Sequence, residues 1–60
     1  MNEKPIVHLD FGAAVAHRAS GRVGRFVVYR RWWRTDGAYV YFPGDGRPRW
    51  VPAANLVVDL

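Results

Sequence analysis

The sequence predicts an all-β fold, a small barrel or sandwich of five short strands behind an N-terminal arm. Three observations carry that prediction. The 60-residue chain is 50% apolar and 15% aromatic, and its β-branched and aromatic residues gather into short runs that suit a pleated, half-buried surface. Gly, Pro and Asp turn signals separate those runs at short intervals. No stretch carries a helical period beyond a single turn. The nearest is "FGAAVAHRAS", where Gly12 and Val15 are weak helix formers and no cap is evident.

The elements follow in order. Residues 1–11, "MNEKPIVHLDF", have an ambiguous alternation and read as an arm or an extra edge strand; residues 12–60 form the domain. Ala13 to His17 is a short first strand between Gly12 and the Ser20–Gly21 turn. Arg22 to Trp33 is a long second strand, rich in Val and aromatic residues. Twelve residues exceed the usual strand length, so a bend or bulge is expected near Gly24. "TDG", Thr35 to Gly37, signals a tight hairpin, because Asp-Gly tolerates the positive φ such turns need. Ala38 to Phe42 returns, with Ala38, Val40 and Phe42 on one face and Tyr39 and Tyr41 on the other. "PGDG" is the next turn, Arg47 to Val51 the fourth strand, and Pro52 ends it by withdrawing a ladder donor. Ala53 to Asn55 fits one 3₁₀ turn, and Leu56 to Asp59 a closing strand.

Size and composition limit how such a fold is held together. A domain of this length buries only about 60% of the surface of its unfolded chain. There is no cysteine, and the two histidines fall short of the four ligands of a structural zinc site. A compact aromatic core or oligomerisation must therefore supply the stability. No apolar run approaches the roughly 18 residues of a membrane span, and "MNEKPIVHLD" has no signal-peptide character. A cytoplasmic protein with no membrane partner is expected. The net charge is +4. From Arg18 to Arg49, eight arginines face only Asp36 and Asp45, a local +6, whereas the first ten residues carry −1. Such a band is an electrostatic footprint for polyanions, although an Arg-rich, Lys-poor composition also arises without function.

Five strands with a 3₁₀ turn between the last two make the layout of an SH3-like barrel. "PRWVPAANLVV" resembles the end of SH3-type domains, and "GAAVAHRASGRVGRFV" the start of many bacterial SH3-like modules. Together the resemblance covers about residues 12–59. The order of "RFVVYRRWWRTDGAYVYF" and "RWVPAANLVVDL" is similar to that in the C-terminal DNA-binding domains of retroviral integrases, which implies binding to DNA. "FGAAVAHRASG", "DGAYVYF" and "VPAANL" also resemble type II dihydrofolate reductases, tetramers of such barrels. That family carries Gln-Ile-Tyr before the proline, where this chain has Arg49, Trp50 and Val51; its pore-mouth lysine would fall at about His17. The layout further resembles Tudor-like modules of bacterial transcription factors that hold RNA polymerase, which implies a protein partner.

Catalysis is not indicated. No Ser/His/Asp or Cys/His set is evident, the acids are scattered, and turn geometry explains Asp36 and Asp45. Neither a metal nor a cofactor is expected. The distinctive stretch is "YRRWWR". On a strand, Tyr29, Arg31 and Trp33 point one way and Arg30, Trp32 and Arg34 the other. A small barrel has one interior, so at least one indole is displayed between arginines; which one depends on register. Guanidinium forks grip phosphates, and an exposed ring stacks on a base at about 1–3 kcal/mol. The candidate nucleic-acid contacts are Arg30, Arg31, Trp32, Trp33, Arg34, Arg47 and Arg49; Trp50 is expected in a core or interface. The leading expectation is a small non-enzymatic nucleic-acid-binding protein, with DNA as partner. The alternatives are an adaptor or self-assembling module with a protein or homo-oligomeric partner, and a reductase relative.

Overall fold

The computed structural model describes residues 9–58. Most of the expected arm, and Asp59 of the expected last strand, lie outside the described residues. Five antiparallel strands form one sheet: β1 (Ala14–His17), β2 (Val23–Tyr29), β3 (Gly37–Tyr41), β4 (Arg49–Pro52) and β5 (Leu56–Val57). The sheet order is β4-β3-β2-β1-β5. A single 3₁₀ turn, Ala53–Asn55, joins the two edge strands. The fold is all-β, as the run-and-turn pattern predicts.

The five strands gather around one core, in a body of 28 × 27 × 22 Å. Val15, Phe26, Ala38, Val40, Phe42, Val51, Leu56 and Val58 form one buried cluster to which every strand contributes. The alternation predicted for the third strand holds: Ala38, Val40 and Phe42 are inside, and Tyr39 and Tyr41 are outside.

Two glycines permit close approach where any side chain would collide. A Cβ on Gly24 would lie 2.7 Å from the Tyr41 carbonyl oxygen and 2.8 Å from the Phe42 ring. Gly24 therefore serves packing. The irregularity expected there sits instead at Val27: Phe26 pairs with Val40 but Val28 with Tyr39, leaving Val27 as the extra residue. The second strand also ends earlier than expected, at Tyr29 and not Trp33. The first and last strands are trimmed to Ala14–His17 and Leu56–Val57, and the fourth starts two residues later and takes in Pro52, the residue expected to end it, as Arg49–Pro52.

The closing 3₁₀ turn is tied back to the first strand's end. Arg18 donates from Nε to the Ala54 carbonyl (3.0 Å) and from Nη2 to the Leu56 carbonyl (3.3 Å), while its backbone N–H reaches the Asn55 carbonyl (2.7 Å). These contacts satisfy carbonyls that a short helical turn leaves without partners.

Candidate nucleic-acid interface

The β2–β3 hairpin closes at Trp33–Arg34, three residues before the Asp-Gly pair that the sequence nominated. Trp32 and Thr35 exchange both backbone hydrogen bonds at 2.9 Å, so the loop is two residues long. Tight hairpin loops need positive φ, normally supplied by Gly, Asn or Asp. Here Trp33 takes it, at φ 58°. A bulky side chain in that region costs about 1–3 kcal/mol. Trp33 is also 83% exposed, so little packing offsets the strain.

Asp36 and Gly37 serve other ends. Gly37 begins β3 beneath the Trp50 indole: a Cβ there would overlap two ring carbons and lie 2.7 Å from the Val51 carbonyl oxygen. Trp50 lies across this glycine and donates its Nε1–H to the Arg30 carbonyl (2.9 Å). Asp36 accepts the Tyr29 hydroxyl at 2.6 Å and, through its backbone carbonyl, the Ala53 N–H at 2.8 Å. The Asp36 hydrogen bond holds the Tyr29 phenol above its ordinary pKa; burial and the Asp36 charge add to this, and Arg31 opposes it. The hairpin base is therefore braced on both faces, by Trp50 on one and by Tyr29–Asp36 on the other.

Register decides which way the candidate side chains point. The pairing Val28↔Tyr39, Tyr29↔Ala38 continues through Arg30, whose N–H meets the Gly37 carbonyl (2.9 Å), to Trp32↔Thr35. Alternation then puts Val28, Arg30 and Trp32 on the outer face with Tyr39 and Tyr41. Arg31 falls on the opposite side, near Tyr29. The open question of Trp32 against Trp33 resolves as both: Trp32 is 63% exposed, and neither is core. Among the described residues, the guanidinium groups of Arg30, Arg31 and Arg34 have no hydrogen-bond or ion-pair partner.

The other two candidate arginines lie elsewhere. Gly37 pairs with Pro52 and Val40 with Arg49, so Arg49 sits three residues, roughly 10 Å, along the sheet from the hairpin base. There Asp45 holds Arg22 at 3.4 Å and Arg49 at 3.5 Å. Arg22 also donates to the Pro43 carbonyl (3.1 Å) and lies 5.1 Å from the Phe42 ring centroid. This end borders a cleft of about 320 Å³ whose lining includes His17, Phe42, Arg49 and Asn55. Arg47 is exposed in the loop before β4, with no side-chain partner among the described residues.

Sequence reasoning left Arg25 out of the interface; its pairing with Tyr41 places it on the outer face. Only the bulge at Val27 makes that placement consistent with Val28 and Arg30, and no residue type in "RFVVYR" announces it. Among the described residues, no group of three or more His, Cys, Asp or Glu could hold a metal ion, and no helix is long and apolar enough to cross a membrane. Comparison with known proteins returns no match, whether to a family model, a curated protein or a solved structure.

Proposed function

We propose that this chain is an SH3-like, non-enzymatic nucleic-acid-binding protein of the cytoplasm, with DNA as its first-choice ligand. One observation carries the reading: at the tip of a braced hairpin, two exposed indoles stand among three arginines that have no side-chain partner among the described residues. A chain that needed those arginines only for its fold would pair them, as it pairs Arg22 and Arg49. Arg30, Arg31 and Arg34 grip phosphate, Trp32 and Trp33 stack, and Arg47 adds charge in the loop before β4, while Arg49 stays paired with Asp45. The SH3-like assignment is supported by the strand order and by the 3₁₀ turn between the fourth and fifth strands.

The affinity is then mainly electrostatic. Each phosphate neutralised contributes about 0.7 (single strand) to 0.9 (duplex) to the slope of log affinity against log salt. A salt-titrated binding assay on labelled oligonucleotides tests this. A steep loss of binding between low and moderate salt is expected; a flat response, or no complex at micromolar protein, removes the reading. A second reading draws on Val23 and Val28, apolar residues about half exposed on the sheet, which stacking does not require. They suit a protein contact or self-association, and a stable dimer in light scattering would favour it.

A further inference from the structure

The region between the two arginine clusters is an aromatic face with its own geometry. Val28, Tyr39 and Trp50 form one row across β2, β3 and β4, and Arg25 and Tyr41 form the next row down the hairpin. From the tip, Trp32, Trp50 over Gly37, Tyr39 and Tyr41 succeed one another. Tyr39 is 37% and Tyr41 39% exposed. Arg30 flanks the upper end of this series and Arg25 the lower, where Arg25 uses one Nη on the Gly12 carbonyl (3.4 Å).

Two magnitudes select the ligand. Same-face neighbours on a strand stand roughly 6.6–6.8 Å apart. That is about twice the 3.4 Å rise per nucleotide of a stacked strand, the pitch of bases with a ring between them. The face is also three strands wide, about 14 Å at 4.7–4.9 Å per strand, against a major groove of about 12 Å. Only the two-stranded tip is narrow enough to enter a groove. Rings on the wider face meet base faces only where the bases are unpaired.

We propose that the outer face of β2–β4 is a stacking track for single-stranded nucleic acid. Bases lie on Trp32, Tyr39 and Tyr41, and phosphates run from Arg30 toward Arg25. From Thr35 to Tyr41 the track measures about 20 Å, room for roughly three nucleotides interleaved with rings or six stacked on one another. This inference rests on the nucleic-acid reading above and narrows it to a strand class.

The test measures fluorescence anisotropy of a labelled oligothymidine of about 12 nucleotides and of a duplex of equal length. The single strand is expected to bind on the order of tenfold more tightly and to quench tryptophan fluorescence. Replacing both tyrosines (Tyr39→Leu, Tyr41→Leu) keeps apolar cover but removes the π faces. It should weaken the single strand about tenfold per ring and leave the duplex unchanged. The Phe pair should restore binding, and thermal melts verify that each variant folds. If the duplex binds as tightly, or the Leu pair is silent while loss of the tip arginines still matters, the track is wrong and nucleic-acid binding stands. If neither strand form binds, both proposals fall.

Discussion

The two ends of the β3–β4 ribbon use arginine in opposite ways. At the lower end, Asp45 sits between Arg22 and Arg49, and Phe42 lies beside the Arg22 guanidinium. These cations are absorbed by the fold. At the upper end, Arg30, Arg31 and Arg34 stand beside exposed indoles and form no ion pair among the described residues, and the Asp36 carboxylate at the hairpin base is taken up by Tyr29. The same side chain is a strut in one place and an unmatched charge in the other. Counting arginines along the sequence merges the two roles, and the register separates them.

The largest expected effect comes from removing the unmatched charges. Arg30→Gln, Arg31→Gln and Arg34→Gln together should lower the salt slope of nucleic-acid binding by about one for each lost contact. The melting temperature should hardly move, because exposed unpaired charges add little to stability. Arg22→Gln should do the reverse: a lower melting temperature, from a lost ion pair, carbonyl contact and cation–π contact of about 0.5–1 kcal/mol each, with the slope unchanged. If the two variants behaved alike, the contrast between the ends would fail.

Next in size is Gly37→Ala. The added methyl must displace the Trp50 ring or the β4 backbone, which overpacking places at about 1–3 kcal/mol. Chemical denaturation should register that loss, and nucleic-acid affinity should fall with it because the tip has lost its brace. Trp33→Gly separates stability from binding. Relief of positive φ should raise stability by about 1 kcal/mol, or about 4–8 °C in a domain of this size, while affinity falls. A variant that loses stability would show that Trp33 packs against something, contrary to its exposure.

The smallest effect is a pH dependence. Tyr29 has a raised pKa in the folded state, so its hydrogen bond to Asp36 contributes below the ordinary tyrosine value of about 10. That contribution disappears as pH rises through the folded-state value. Melting temperatures should therefore decline on the alkaline side of pH 10 more steeply in the wild type than in Tyr29→Phe.

Much of this fold was legible. Val and aromatic runs between Gly and Pro punctuation located five strands, and Pro52 with Ala-Ala-Asn located the 3₁₀ turn. The hairpin tip was not legible. "TDG" has the composition of a tight turn, but Asp36 is occupied by Tyr29 and Ala53, and Gly37 is there because Trp50 lies on it. The true loop residues, Trp33 and Arg34, carry no turn signal at all. A left-handed tryptophan contradicts local propensity, and such contradictions concentrate where function overrides conformational preference. The facing of Trp32 was unreadable for a related reason: it depends on one extra residue at Val27, and a valine in a bulge looks like any other strand valine.

The hydrogen bond from the Ala53 amide to the Asp36 carbonyl has a consequence for how engagement of the tip would be detected. It fastens the corner between β4 and β5 to the base of the hairpin, across 17 residues of sequence. Any event that steadies the hairpin also shields that one amide proton from solvent. Its rate of exchange with deuterium would thus act as a gauge of tip occupancy, read from a position that no bound strand needs to touch.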